Sequence, residues 1–278
     1  AAMLMTLATS LLAKDVILGI SKRDGHKYNV EYMKFNKEAA FYAENGVKAA
    51  LFDYTHLYRT DMPADQLLRM LKKYNVIQIR SLEEGIHHLT PEFAERAEKV
   101  GKVLAKYVKE GGGLIVQPRP VRYPNDDDEK YWNLVYKPLG LKILHEGVFD
   151  KTTRVDDEMR PRRIFPFFHT KNIQAHPVTK NAKSLWLPMR SYYPGAGTPA
   201  IQYGPDWQVV VRGEKTAKSY LSHPRKNNLD ITKEGSFDSA PPIVAVKTLG
   251  KGRIVCVAVD HIFTGLNTGY IRGKASCR

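Results

Sequence analysis

The stretch that decides the fold is YVKEGGGLIVQPRPVRYPNDDDEKYWN, residues 107–133. It holds the end of a helical pattern, then three glycines, and then the apolar run GLIVQP at 113–118. Helices commonly end on a glycine, and a short apolar run after such a stop is typical of a buried strand. The stretch therefore predicts a helix that ends at Lys109, a strand at 113–118 and a sharp exit from that strand.

Strand and helix patterns alternate through the first half of the chain. A cap at Thr90, followed by Pro91, begins the helix that leads into the triple glycine, and Gly46 ends an earlier helix. Such alternation favours an α/β, flavodoxin-like fold, with a mostly parallel sheet and helices on both faces. The predicted strands are 15–20, 49–57, 75–80, 113–118 and 141–149, and the predicted helices are 36–46, 63–73, 91–109 and 129–138.

The second half of the chain has a different pattern. Residues 151–205 are rich in proline and aromatic residues and show no long helical pattern, so we predict a loop-rich insertion. The segments IQYGPDWQVVVRGE, PPIVAVKTLG and KGRIVCVAVD are typical of strands, the last two joined as a hairpin. No Gly/Ser linker separates the halves. Residues 14–278 are therefore predicted to form one domain, in which antiparallel strands extend the sheet.

The positive charge is unevenly distributed. The formal net charge is +14 at pH 7; residues 1–150 carry 22 Lys and Arg against 20 Asp and Glu, and residues 151–278 carry 21 against 9. A basic surface favours an anionic partner such as an acidic polysaccharide, nucleic acid or a phospholipid headgroup. The alternative is a basic surface that serves solubility alone.

The N-terminal residues 1–13 carry no charge and are mostly apolar. This run is too short to span a bilayer but matches the apolar core of a secretory signal, so we expect a secreted or periplasmic protein without a transmembrane segment. A retained N-terminal helix is the alternative. The two cysteines, Cys256 and Cys277, exclude a disulfide framework, and no zinc-type spacing is present, so no metal or cofactor is expected.

Several motifs in this order resemble the class I glutamine amidotransferase-like superfamily. They are the entry YVKEGGGLIV, the segment HPVT followed by LWLP, and GKGRIVCVAVDH near the end. Within the superfamily the chain is most similar to the ThuA-like and β-galactosidase-trimerisation-like branches, over most of residues 14–265. The last helix that this resemblance implies is not present in the given sequence, so either the chain is truncated or a partner covers that face, and a homo-oligomer would be one way to cover it.

The resemblance also shows what is missing. In active amidotransferases a cysteine nucleophile follows the strand that corresponds to GLIVQP, and a late histidine completes the site. Here the turn holds Gln117, Pro118, Arg119 and Pro120, and the two prolines fix φ and remove backbone donors. Cys256 lies inside an apolar strand, where a buried structural role is expected. Cysteine-dependent amidotransferase activity is therefore not expected.

Polar residues follow the ends of several predicted strands, where open α/β sheets bind ligands. By the resemblance, His261 occupies the position of the late catalytic histidine, and it is the candidate general acid/base with Asp260 and Glu83 as carboxylates. A structural strand-end histidine and a solvated acidic loop are the alternatives. The other residues at these strand ends are Glu84, His87 and His88, and the candidate substrate-binding residues Asp53, His56, Arg119, Arg122 and Tyr123.

The acidic run at 125–129 and the residues around it have two interpretations. Its carboxylates could bind Ca²⁺, but Asp128 before EKYWN favours a helix cap with acids at the positive end of the helix dipole. Arg122, Tyr123 and Trp132 could stack on a sugar and pair with an acidic substituent, with core packing as the alternative for Trp132. The HPVT segment at His176 is predicted to be a structural turn rather than half of a metal pair with His169.

Two classes of function follow. The first is a secreted, non-amidotransferase module that binds acidic carbohydrate as an accessory or oligomerising unit, supported also by Trp186, Tyr192, Tyr193 and Trp207. The second is a hydrolase or lyase acting on an acidic sugar, in which His261 works with Glu83 or Asp53 and an arginine clamps the substrate. Nucleic acid is not expected as a partner, because no known nucleic-acid-binding motif is present.

Overall fold

The structure is a computed structural model that describes residues 16–22, 42–53, 57, 61–80, 89–118, 127–155, 167–189, 197–222 and 229–259. Within these ranges the chain is a mixed α/β protein. Its helices are α1 (Ala64–Leu71), α2 (Pro91–Lys109) and α3 (Asp127–Tyr136). Its strands are β1 (Val16–Lys22), β2 (Val47–Asp53), β3 (Val76–Arg80), β4 (Gly113–Gln117), β5 (Leu141–Phe149), β6 (Phe167–Thr170), β7 (Leu185–Pro188), β8 (Pro199–Tyr203), β9 (Gln208–Arg212), β10 (Lys218–Ser222), β11 (Leu229–Glu234), β12 (Pro242–Leu249) and β13 (Gly252–Val257).

The largest described sheet has seven strands in the order β2-β1-β3-β4-β13-β12-β9. Strands β2, β1, β3, β4 and β13 run parallel to one another, β12 pairs antiparallel with β13, and β9 pairs antiparallel with β12 at the edge of the sheet. Strand β13 pairs directly with β4, from Arg253 opposite Gly113 to Cys256 opposite Val116. The predicted hairpin of the second half therefore completes the sheet that the first half begins.

Strand β5 does not join this sheet, contrary to the prediction that it would be the fifth strand of the alternating series. It lies in a four-stranded sheet of order β11-β10-β5-β8 and pairs antiparallel with β10 and β8. The place beside β4 belongs to β13, which comes more than a hundred residues later. The predicted loop-rich insertion also contains regular structure, because β6 and β7 pair with each other and β8 joins β5.

Helices α1, α2 and α3 pack on one face of the main sheet, and the helical residue Tyr42 packs on the other. Buried residues of α1, α2 and α3 share one hydrophobic cluster with Ile77 and Val116. The alternate residues of the same strands, such as Val76 and Ile115, belong to a second cluster with Tyr42 and with side chains of β5, β6 and β7. Because successive strand residues point to opposite faces, the two clusters lie on opposite sides of the sheet. β-structure thus covers much of the face for which helices were predicted.

The junction between α2 and β4 explains the triple glycine. The Gly111 N–H donates to the Val108 carbonyl (2.9 Å), and the Gly112 N–H donates to the Tyr107 carbonyl (3.0 Å), which is the Schellman arrangement. Gly111 has φ +114°, a conformation that L side chains rarely adopt. At Gly112 a Cβ would overlap the ring of Tyr107, whose hydroxyl donates to the Tyr74 carbonyl (3.0 Å). The predicted cap at the other end of α2 is confirmed, since Thr90 Oγ1 accepts from the Phe93 N–H.

We predict that Gly112→Ala lowers the free energy of unfolding by about 1–3 kcal/mol, because overpacking displaces the Tyr107 ring. Gly46→Ala is the matched control: Gly46 is exposed, with nothing within 4 Å of a built Cβ, and only its φ of +72° opposes alanine. Its cost is expected to be about 1–2 kcal/mol, without loss of tertiary packing. Urea denaturation followed by near-UV circular dichroism measures both, and an unperturbed aromatic signal in Gly112→Ala would contradict the prediction.

Candidate functional site

The carboxyl ends of the parallel strands form the edge where ligands are expected. Strands β3, β4 and β13 are neighbours, and Arg80 of β3 is level with Gln117 of β4. The strand pairing on which the candidate site was based is therefore present. Most of the candidate residues themselves lie outside the described residues: His56, Glu83, Glu84, His87, His88, Arg119, Arg122, Tyr123, Asp260 and His261.

Asp53 is at the carboxyl end of β2, level with Lys22 of β1. Three strands separate β2 from β13, so their ends are about 19 Å apart at the usual spacing of about 4.8 Å per strand. The ends of β3 and β13 are only two spacings apart, about 10 Å. The end of β3, which precedes Glu83 in the sequence, is therefore closer to the end of β13 than the end of β2 at Asp53 is.

A buried polar pair lies directly inside this edge. Gln78 of β3 and Gln117 of β4 are both buried, and Gln78 Nε2 donates to Gln117 Oε1 at 2.6 Å. The Tyr42 hydroxyl also donates to Gln78 Oε1, at 3.5 Å. The residue at the end of β4 is thus engaged in a hydrogen-bonded pair, and the next residue, Pro118, is buried too. Neither can supply the exposed nucleophile of an amidotransferase.

The prediction that Cys256 is a buried structural residue is confirmed. It is fully buried in β13, between β4 and β12. Burial raises the pKa of the Cys256 thiol to about 12, so the thiolate needed for nucleophilic attack is almost absent near neutral pH. The described residues therefore contain no amidotransferase-type nucleophile on β4 or β13.

We predict that Gln78→Leu lowers the free energy of unfolding by about 1–3 kcal/mol, because Gln117 Oε1 loses a buried hydrogen bond from Gln78. The double variant Gln78→Leu/Gln117→Leu should be less destabilised than the sum of the two single variants. Urea denaturation of all four proteins measures this coupling. Strict additivity of the two single effects would show that the pair does not act as a unit.

The thiol of Cys256 is expected to react with a disulfide reagent only after unfolding. The measurement uses a Cys277→Ala background, so that Cys256 is the single thiol, at pH 8 in native buffer and in denaturant. Since the folded pKa of about 12 lies above the ordinary thiol value, raising the pH from 7 to 9 should leave native labelling slow. Labelling at the rate of an exposed thiol would show that β13 is not packed as described.

The described part of the acidic run, Asp127 to Glu129, forms the first turn of helix α3. The helix begins at Asp127, two residues earlier than the predicted start at 129, so Asp128 lies in the first turn and is not the N-cap. Asp127 accepts from the Leu89 N–H (2.7 Å) and from Lys130 Nζ (2.6 Å). Acids in the first turn interact favourably with the positive end of the helix dipole.

Trp132, predicted to stack on a sugar, is instead part of the core. It is 2% exposed, lies edge-to-face with Tyr131 and is stacked on Tyr136 at 5.5 Å. Trp207 is also buried, and its Nε1–H donates to the Leu139 carbonyl at 3.0 Å. Trp186 is half-buried and packs against His169. The aromatic residues that remain candidates for sugar stacking are Tyr123, Tyr192 and Tyr193, which lie outside the described residues.

A carboxylate–histidine pair was not predicted from the sequence. His145 Nδ1 lies 3.1 Å from Glu129 Oε2, while Asn133 Nδ2 donates to Glu129 Oε1 (3.4 Å) and to the Ile143 carbonyl (3.0 Å). His145 lies where β5 slips its register against β8, between Ile143 and Gly147. Its Nε2 is buried and has no hydrogen-bond partner among the described residues. Glu129 lies in the first turn of α3 and His145 lies in β5, so no local sequence pattern joins them. The signal in the sequence would have been the polar pair His145–Glu146 inside the strand pattern LKILHEGVF.

The HPVT segment forms the predicted structural turn. His176 Nδ1 accepts from the Val178 N–H at 3.1 Å and caps a short 3₁₀ turn at Pro177–Thr179. Burial, and after it the positive charge of Arg253, lowers the pKa of His176. No group of three or more metal-ligating side chains occurs among the described residues. Within the same part of the chain, no helix is both long and apolar enough to cross a bilayer.

The comparisons with known proteins give distant structural likenesses only. No family model matches the chain, and no curated protein matches its sequence. Similar solved structures include a cytoplasmic protein from Salmonella typhimurium LT2, with a TM-score of 0.47 and 16% identity over 88% of this chain and 87% of that one. They also include a ThuA-like protein from Parabacteroides merdae, with a TM-score of 0.39 and 14% identity over 88% of this chain and 79% of that one.

A third similar structure is a β-galactosidase from Bacillus circulans, with a TM-score of 0.39 and 12% identity. The likeness covers 95% of this chain but 32% of the β-galactosidase, so this chain spans about a third of the enzyme. ThuA-like and β-galactosidase structures are thus among the neighbours, as the sequence resemblance suggested. At these identities and TM-scores, the neighbours assign neither a family nor an activity to this chain.

Proposed function

We propose that this protein is a non-amidotransferase member of the glutamine amidotransferase-like fold that binds acidic carbohydrate as an accessory or oligomerising module outside the cytoplasm. The observation that carries the proposal is the end of β4. Gln117 is buried and hydrogen-bonded to Gln78, and Pro118 follows it. Cys256, the cysteine among the described residues, is buried in β13. A ligand edge without this nucleophile is suited to binding rather than to amide hydrolysis.

The strand order supports the flavodoxin-like part of the proposal. The parallel strands follow the order β2-β1-β3-β4-β13, which is the 2-1-3-4-5 order of doubly wound folds if β13 is counted as the fifth parallel strand. In that order the connections change direction between β1 and β3, and ligands bind at the carboxyl ends of the strands there. The proposal therefore places the carbohydrate at this edge, with Arg119 and Arg122 as its contacts to acidic groups.

Net charge supports an acidic ligand. The chain carries a formal charge of +14, and an arginine forms paired hydrogen bonds with a carboxylate or sulfate. Trp132 and Trp207 no longer contribute to the proposal, because both are buried. The remaining proposed sugar contacts are Arg119, Arg122, Tyr123, Asp53 and His56.

An array of acidic and neutral polysaccharides tests this function, with turnover assayed on every glycan that binds. Arg122→Ala should weaken binding of acidic glycans about tenfold or more, because a charge-assisted hydrogen bond is lost. Arg69→Ala is the matched control, since Arg69 is exposed on α1 and pairs with Asp65 at 2.5 Å. His261→Ala should leave binding unchanged.

Product formation would decide for the enzyme alternative, a hydrolase or lyase acting on an acidic sugar. If His261→Ala abolishes product, His261 is the general acid/base. If product survives that change but is lost in His145→Ala, the chemistry belongs to the Glu129–His145 pair. Absence of binding to every acidic glycan would overturn the carbohydrate function altogether.

A further inference from the structure

Five lysines come together at the amino edge of the main sheet, the end opposite the proposed ligand edge. Lys72 and Lys73 end the α1 region, Lys106 and Lys109 lie in the last turn of α2, and Lys251 lies in the turn between β12 and β13. We call these five residues the amino-edge patch. All five are exposed. Four of them lie in residues 1–150 and Lys251 lies in residues 151–278. The excess of positive charge in the second half of the sequence therefore does not predict this surface.

Backbone contacts hold the three segments side by side. The Lys251 N–H donates to the Lys109 carbonyl at 3.0 Å, and this hydrogen bond holds the β12–β13 turn against the end of α2. The Gly113 N–H donates to the Asn75 carbonyl at 2.9 Å, which joins the end of the α1 region to the start of β4. Strands β3, β4 and β13 begin next to one another in this sheet. The patch is thus fixed by the fold and does not depend on flexible loops.

Positive charge predominates in the patch. The segments 72–75, 106–112 and 249–251 contain these five lysines and a single carboxylate, Glu110. Lys72 Nζ lies 2.5 Å from Glu110 Oε2, and the hydrogen bond from Lys72 is the main reason why the pKa of Glu110 is lowered, with a smaller contribution from Lys106. Lys106 and Lys109 also complement the negative end of α2. Lys73 and Lys251 have no ion pair among the described residues and lie outside the helices, so the helix dipole does not account for them.

We propose that the amino-edge patch is a binding surface for a linear sulfated or carboxylated polysaccharide. The choice of ligand class rests on the proposed carbohydrate function, but the surface is a separate one. The two ends of β4 are about 13 Å apart at about 3.3 Å per residue. A chain bound at the amino edge therefore leaves the carboxyl edge accessible.

The composition of the patch favours a polysaccharide over other polyanions. Lysine ammonium groups act as point charges and suit repeated sulfate or carboxylate groups, whereas nucleic-acid readers also use arginine forks and exposed aromatic rings. Tyr107, which lies among these lysines in sequence, is buried. Membrane binding requires apolar side chains beside the charge. Among the described residues the exposed large hydrophobic side chains are Leu221 and Ile231, which lie in the other sheet.

The test compares wild type with Lys73→Glu/Lys251→Glu on immobilised heparin and on a carboxylated polysaccharide over a range of salt concentrations. We expect the double reversal to weaken binding about tenfold or more and to flatten the salt dependence, because fewer counterions are released. Lys142→Glu/Lys215→Glu is the matched control, with the same charge change at two exposed lysines outside the patch. Lys73→Arg/Lys251→Arg should bind like wild type. Far-UV circular dichroism checks folding, and Lys73→Gln/Lys251→Gln replaces the reversal if that variant fails to fold.

The outcomes separate this proposal from the proposed function. Loss in the patch variant, with binding kept in the control pair, supports the patch whatever the effect of Arg122→Ala, which tests the carboxyl edge separately. Equal binding by wild type and the patch variant overturns the patch but leaves carbohydrate binding at the carboxyl edge intact. No binding to either polysaccharide overturns both. Binding by wild type to a DNA duplex or to phosphatidylserine vesicles, but to neither polysaccharide, overturns both as well and assigns the patch to that other polyanion.

Discussion

The close approach between the end of α2, the triple glycine and the β12–β13 turn is the constraint on which the rest of the structure depends. A Cβ at Gly252 would overlap the carbonyl oxygens of Val108 and Gly112, and a Cβ at Gly250 would lie 2.6 Å from the Lys109 carbonyl oxygen. The backbones can meet only because side chains are absent there. This contact holds β13 beside β4. The last described strand is thereby joined to the sheet that contains the first strands, β1 and β2.

The position of β13 beside β4 also affects the chemistry of the ligand edge. With β13 between β4 and β12, Cys256 is enclosed on both sides by strands, and its thiol becomes a packing group with a raised pKa. At the same edge Gln117 of β4 is buried and accepts a hydrogen bond from Gln78 of β3. The polar groups here are engaged in holding neighbouring strands together. A buried hydrogen-bonded pair of this kind stabilises the edge without offering a reactive atom.

The contact between α2 and the β12–β13 turn also brings the lysines of the amino-edge patch together. Helices α1 and α2 return the chain to the amino edge before β3 and β4, and the antiparallel strand β12 does so before β13, so the ends of α1 and α2 and the β12–β13 turn all lie at that edge. Their lysines are then neighbours whatever their separation in sequence. The proposed function and the amino-edge patch thus use opposite ends of the same strands, which would allow a long polysaccharide and a short ligand to be held together.

The sequence by itself determined the elements around its glycines and prolines. Gly46, Thr90, Pro91 and the triple glycine marked helix ends correctly, because a positive φ, a missing N–H or a side-chain cap is a local property. It also indicated that Cys256 is buried and that the HPVT segment is a turn. Only the tertiary structure decided that β13 rather than β5 lies beside β4, that Trp132 belongs to the core, that Glu129 meets His145 and that five lysines share one edge. Each of these depends on contacts between distant parts of the chain, and a local pattern of apolar and polar residues carries no information about which strand will be the neighbour.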